Sequence, residues 1–386
     1  MIRRDFLSGL AAGAAGLAMS GKIDGARPPA AVSPDFSRFP QAQPPAPAVN
    51  VSAKALALHK KAVIIDGHND SLIEHWARKE SYDLGRDWPS YQADLGRMKA
   101  GGLTAMNSMV GGANLVQGLD LWGGMYENVD KHPGDFLIPD QPEDVLRAKK
   151  DGKVALIGQL EGCQLLNNSL RILDVMRRLG VRVAGLTHGE GGEEFHLQAA
   201  KSPFGYCTPD DREKARRESA ALTGFGREAV AELNRLGMVV DLAHANDAAF
   251  FETLKLSKKP VEFSHGAVFA LTLHWRALTD DQLTALAANG GVIGIAVYPG
   301  FIAQDPAQQT LQRFIDHVEY VCEKVGDDHV GFGSDYDGMG ELVPIVPSYA
   351  EMPQLTQLML DRGFSEETIL KFWGGNFLRV MREAAV

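Results

Sequence analysis

Six short strings in this chain each run as an apolar, β-rich stretch straight into a histidine, aspartate or glutamate. They are Ala62-Val63-Ile64-Ile65-Asp66-Gly67-His68-Asn69-Asp70, then residues 154–161 ending on Glu161, 181–188 ending on His188, 238–244 ending on His244, 261–265 ending on His265 and 330–335 ending on Asp335. A strand that delivers an acid, a base or a ligand at its C-terminal end is the repeating unit of a (β/α)8 barrel, whose chemistry sits on that face. Six such strings in order restrict the fold more than any other feature of the sequence.

From residue 53 onward strand and helix signals alternate. After the first strand, further strands are expected at 103–110, 154–160, 181–187, 238–242, 261–264, 291–298 and 329–333. Helices are expected from Ser71, over 169–179 with Gly180 as the stop, and through Leu236 with Gly237 as the stop. A long polar insertion reaching Ser219 separates the fourth strand from that last helix. Asp247 is expected to cap the next helix, and Thr279 with Gln282 three residues later reads as a capping box. Amphipathic segments from Tyr349 and Ser365 finish the chain. Eight strands with helical crossovers, no solenoid period and no glycine-rich phosphate loop favour a closed α/β barrel, a TIM barrel, over an open doubly wound sheet.

A length of 386 residues with 45% apolar content is enough for one large core. The formal charge of −10 offers no basic field for nucleic acid or anionic lipid, so a small-molecule partner is the default; a homodimer is compatible with the chain. Cys163, Cys207 and Cys322 share no C-x-x-C spacing and read as small apolar residues, with one bridge open in an oxidising compartment. At the N-terminus, Arg3-Arg4-Asp5-Phe6-Leu7 opens a mildly apolar Ala/Gly-rich stretch that resembles a bacterial twin-arginine export signal over residues 1–21, implying a periplasmic or otherwise exported protein. Residues 22–50 are a Pro/Ala-rich linker, and 51–386 are expected to form a single domain. No later segment reaches the length of about 18 apolar residues needed to span a bilayer.

His68 and Asp70 are two positions apart, so both side chains point the same way where the strand ends and can grip one ion. Glu161, His244 and His265 end the third, fifth and sixth strands and converge on the barrel mouth. Three histidines and two carboxylates suit a dinuclear site in which one carboxylate bridges two divalent ions, with a hydroxide between them. Zinc fits this nitrogen and oxygen set best, and manganese or cobalt is tolerated. His59, His75, His132, His196, His274, His317 and His329 fall on helices, turns or strand starts and read as structural. Glu161 follows a buried strand directly, and a charge there is costly without a partner.

The same residues carry a likeness to a known family. Ile65-Asp66-Gly67-His68-Asn69-Asp70, Leu160-Glu161-Gly162, Gly185-Leu186-Thr187-His188, Val240-Asp241-Leu242-Ala243-His244, Ser264-His265 and Gly333-Ser334-Asp335-Tyr336-Asp337-Gly338 resemble the motifs of the membrane (renal) dipeptidases, peptidase family M19. The resemblance spans residues 53–382 and implies a (β/α)8 barrel holding two Zn2+ per chain. It assigns His68 and Asp70 to one ion, His244 and His265 to the other, and Glu161 to both. His188 would stabilise the tetrahedral oxyanion, Arg276 would bind the terminal carboxylate of the substrate, and Asp335 would meet its free amino group and assist proton transfer. Gly189-Glu190-Gly191-Gly192, the second strand, Ala243 and Gly266 depart from the family pattern. The metal set is thus intact while the segments that shape the pocket are altered.

The leading expectation is an exported zinc metallo-dipeptidase that hydrolyses small dipeptides and tolerates a D-residue at the C-terminal position, as relatives do. An amidohydrolase-type enzyme acting on a non-peptide amide or lactone stays open. Arg276 and Asp335 separate the two, because a zwitterionic dipeptide needs both charge partners and a neutral lactone needs neither. A metal-binding or solute-capture protein on the same fold is the non-enzymatic alternative.

Overall fold

The computed structural model describes residues 49–192, 196–340 and 342–386. The expected signal over 1–21 and all but the last two residues of the linker lie outside the described residues.

Eight parallel strands follow one another around a barrel: β1 Ile65–Asn69, β2 Ala105–Met109, β3 Val154–Leu160, β4 Val181–Gly185, β5 Val239–Asp241, β6 Glu262–Val268, β7 Val292–Ile295 and β8 Val330–Phe332. Every residue of every one of them is buried. Strands covered on both faces need helices outside them, which is why near-continuous Val, Ile, Leu and Ala runs replace strict alternation. The ring is nearly closed between β8 and β1. There Asn69 bridges Tyr336, the Asp70 N–H donates to Tyr336 O at 2.9 Å, and the Asp335 N–H donates to His68 O at 3.2 Å. Two-residue strands Phe136–Leu137 and Ala277–Leu278 add to β3 and β6.

Helices Leu170–Leu179, Gly224–Arg235, Asp247–Leu256, Asp280–Ala288 and Leu311–Val325 fill the later crossovers. Gly180, at φ 114°, ends the first of these as expected. Gln282 Oε1 accepts the Thr279 N–H at 3.0 Å, as the Thr-x-x-Gln spacing requires. Asp247 is not a cap. Asn246 takes that place, its side chain accepting the Ala249 N–H at 2.8 Å, and Asp247 instead receives Arg212 Nε at 3.0 Å and Nη2 at 2.9 Å. Arg212 belongs to a helix, Pro209–Glu218, inside the insertion after β4. That helix starts at a Thr208–Asp211 capping box, so the long polar insertion carries a helix that was not expected.

The C-terminal helix Asn376–Ala385 packs under the barrel. Its Phe377 ring lies where a Cβ on Gly67 would stand 2.6 Å from it, and the same Cβ would be 2.5 Å from Ser264 O. Gly67 is therefore the residue that lets β1 carry Asp66 and His68 while the barrel closes tightly beneath them. Burying a side chain of Phe377's size contributes roughly 1.5–3 kcal/mol. All three cysteines are free thiols. Cys163 is the buried one, and its burial pushes the thiol up to about 12. No helix among the described residues is long and apolar enough to cross a membrane.

Candidate metal centre

Asp66 fixes the strand that begins the site. Its buried carboxylate accepts the Ser334 N–H at 2.6 Å, the Ser334 hydroxyl at 2.5 Å and the Tyr349 hydroxyl at 2.6 Å, tying β1 to the segment after β8. Burial pushes this carboxyl up to about 6 against those donors. Two residues on, His68 is wholly buried, and its Nε2 lies 3.2 Å from Asp70 Oδ2 and 3.5 Å from Glu161 Oε1.

Glu161 is the centre of the arrangement. Period-two geometry at the end of β3 turns Gln159 and Glu161 the same way, into the mouth. Glu161 Oε1 stands 2.9 Å from His244 Nε2, 3.5 Å from His68 Nε2 and 3.6 Å from His265 Nε2. Burial works to raise this carboxyl, but His68, His188 and His244 hold it well below the ordinary carboxylate range. The His68 ring stacks on His265 with centroids 4.1 Å apart, and His244 Nε2 is 3.2 Å from His265 Nε2. Burial and then the Arg276 charge depress the His244 imidazole well below its usual value; for His265 the causes are burial and then His68. His68 goes the other way, because Glu161 and Asp70 outweigh its burial.

His265 does not end its strand, as the sequence suggested. β6 continues to Val268, and a register irregularity against β7 between Phe263 and Gly266 brackets the histidine and aims it at the mouth. His244 sits just after β5 at φ 65° and Asp335 just after β8 at φ 64°. Both are in the left-handed region, which costs of order 1–3 kcal/mol for a non-glycine residue and is tolerated where the surroundings impose it.

The remaining expected residues border this cluster. His188 is half exposed, with Nε2 3.9 Å from Glu161 Oε2 and Nδ1 3.9 Å from Glu190 Oε1. Glu190 is held there because Thr187 Oγ1 donates to its carbonyl at 2.6 Å. Arg276 is buried, donating through Nη1 to His244 Nδ1 at 3.0 Å and through Nη2 to His265 O at 3.3 Å, with its Cζ 5.2 Å from the centroid of the Phe301 ring. A guanidinium can only donate, so His244 Nδ1 accepts and its proton resides on Nε2, facing Glu161. Asp335 Oδ1 is 3.9 Å from His265 Nε2, and burial pushes its carboxyl up to about 7.

A cation fits these residues. Three donor groups, His68–Glu161–His265, Glu161–His188–His244 and His68–Asp70–Asp335, each bring their ligand atoms within 4.8 Å of one another, and they overlap on His68 and Glu161. Asp70 Oδ1 is buried with no hydrogen-bond partner among the described residues. Buried imidazole nitrogens and carboxylate oxygens turned toward one another are a set that a divalent ion satisfies, with a nitrogen and oxygen composition suited to zinc.

Gln159, Asp241 and Ser264 were missed as members of the site. Gln159 Oε1 is 2.7 Å from His68 Nδ1, Ser264 Oγ is 2.9 Å from His265 Nδ1, and both residues donate to Asp241. Their signal was present: each is polar within an otherwise apolar strand, one to three positions from an expected ligand.

The sequence pattern described as Membrane dipeptidase (Peptidase family M19) matches residues 52–386. Dipeptidase ataJ of Aspergillus terreus is 31% identical over 359 residues, covering 86% of this chain and 86% of that protein. Dipeptidase tcpJ of Claviceps purpurea is 35% identical over 241 residues, 62% of this chain and 53% of its own length, so the alignment spans about half of that relative. Among solved structures, a metallo peptidase from Rhodobacter sphaeroides liganded with a phosphinate mimic of the dipeptide L-Ala-D-Ala superposes with a TM-score of 0.73 at 23% identity, covering 83% of this chain and 99% of that one. This last is a likeness of fold.

Proposed function

The chain belongs to the membrane dipeptidase family, peptidase family M19, and from that premise we propose that it is a zinc metallo-dipeptidase holding two Zn2+ per chain and hydrolysing the amide bond of small dipeptides, L-D dipeptides included. The observation that supports this best is the single oxygen, Glu161 Oε1, within 3.6 Å of three imidazole Nε2 atoms. His68, Asp70, Glu161, His244 and His265 would hold the ions, with Glu161 shared. Bound there, the pair would acidify a water near neutral pH and polarise the scissile carbonyl.

The chain's own residues do the rest. His188, half exposed at the rim, donates to the oxyanion as the carbonyl carbon becomes tetrahedral. Arg276 offers a planar fork to the substrate's terminal carboxylate. Asp335, its Oδ1 3.9 Å from His265 Nε2 at the mouth, receives the proton of the attacking water and returns it to the leaving amine. It also faces the free ammonium group of the dipeptide. The twin-arginine pattern over 1–21 supports export of the folded chain.

Hydrolysis of a panel of L-L and L-D dipeptides, L-Ala-D-Ala among them, beside N-acetylated and C-amidated counterparts, tests the substrate class. Free dipeptides should be cleaved and both blocked forms should lose most of kcat/KM. Equal turnover of blocked and free forms would place the enzyme among hydrolases of non-zwitterionic amides instead.

A further inference from the structure

Asp241 touches none of the expected ligands, yet two of them depend on it. It lies at the C-terminal end of β5, 1% exposed. Its Oδ1 accepts the Ala243 N–H and the Ser264 N–H, each at 2.9 Å. Its Oδ2 accepts Gln159 Nε2 at 3.0 Å and the Ser264 hydroxyl at 2.6 Å. Four donors converge on one carboxylate, so both oxygens act only as acceptors.

The directions of the neighbouring hydrogen bonds then follow without freedom. Because the Gln159 amide nitrogen must face Asp241, its Oε1 faces His68 Nδ1 at 2.7 Å, and that nitrogen must be the donor. Because the single Ser264 hydroxyl hydrogen goes to Asp241, Oγ can only accept from His265, and His265 Nδ1 donates across 2.9 Å. In both rings Nδ1–H is committed outward and Nε2 is left to face Glu161. One carboxylate thereby sets two histidines, one from each of the two ion positions. A partner behind a metal-binding histidine fixes its tautomer and ring orientation, but here one such partner serves both sides of the pair.

We propose that Asp241 is a shared positioning residue that commits His68, through Gln159, and His265, through Ser264, to the Nδ1–H form that presents Nε2 to the metal. This rests on the two-ion reading of the site, and the experiment separates the two. Zinc is titrated into the metal-free full-length chain against a chromophoric chelator. In parallel, 15N-histidine spectra of the same zinc-free protein, taken at a pH high enough that His68 has lost its second ring proton, report which ring nitrogen carries the remaining one. Asp241→Asn puts an amide donor where Oδ2 accepted, so the Gln159 amide turns over and Ser264 loses its acceptor. Both zinc-binding steps should weaken about 10- to 100-fold, and His68 and His265 should lose the Nδ1–H signature. Gln159→Met and Ser264→Ala should each weaken one step and disturb one ring.

Unchanged tautomers and affinities in Asp241→Asn would overturn the proposal. If that variant does not fold, the single-arm variants decide: each weakening its own step supports the assignment, and neither doing so overturns it. A wild type that binds one zinc would instead remove the two-ion reading, while the ring signatures would still judge Asp241.

Discussion

Arg276 Nη1 carries two hydrogens, so it can donate one to His244 Nδ1 and still offer the other to a substrate carboxylate. In the structure that nitrogen donates to His244 Nδ1, which keeps the His244 proton on Nε2. A cation on Nε2 would move the ring proton to Nδ1 and end this contact, leaving that Nη1 hydrogen for a carboxylate as well. The fork is buried and its Nε is without a partner among the described residues, so a carboxylate reaching it meets a donor that little solvent competes for. Arg276→Ala should cost on the order of 2 to 4 kcal/mol in kcat/KM for free dipeptides, chiefly through KM. Amidating the substrate should then make little further difference to the variant. If wild type and variant lose equally on amidation, Arg276 does not read the carboxylate. The residues that gather at the mouth were legible because each ends or follows an apolar run. The supporting residues Gln159, Asp241 and Ser264 were visible only as polar side chains in apolar strands, and which neighbour each serves emerges when the strands are placed side by side.

At the scale of elements, β-runs and their order were readable because parallel barrel strands are buried on both faces and leave long apolar stretches. The length of β6 was misjudged: it was expected over 261–264, and the strand runs through His265 and Gly266 to Val268. The helix inside the insertion was hidden by its charge, although Thr208-Pro209-Asp210-Asp211 is a start signal. One histidine read as structural behaves so: His317, on helix Leu311–Val325, accepts the Val268 N–H at Nδ1 across 3.0 Å and donates through Nε2 to Ile302 O across 2.9 Å. Burial lowers it to about 4, below its usual 6.5. A depressed histidine contributes stability that is fully present above the unfolded value and is lost as pH falls from 6.5 through about 4. His317→Gln keeps a donor and an acceptor without titrating. Compared with that variant, the wild type should lose on the order of 3 kcal/mol of unfolding free energy over this window. Parallel stability curves in denaturant at pH 7.5 and 4.5 would show that His317 takes up no extra proton on unfolding.

For the molecule as a whole, the barrel, its metal chemistry and its export are separable claims. We propose that Arg3 and Arg4 direct a folded, metal-loaded chain out of the cytoplasm, which lets the zinc be acquired away from ions that rank above it in affinity. Arg3→Lys with Arg4→Lys should leave active, uncleaved protein inside the cell, whereas normal processing and export of the double variant would point to transport of an unfolded chain. The barrel itself rests on the core around β1 to β8, and Glu161 at its mouth is where fold and chemistry meet. Elemental analysis of purified protein with measured dipeptide turnover tests that junction most directly. About two zinc ions per chain are expected in the active wild type, and Glu161→Gln should lose most of the metal together with the activity. Full turnover with one ion or none per chain, or a Glu161→Gln variant that keeps both metal and rate, would contradict it.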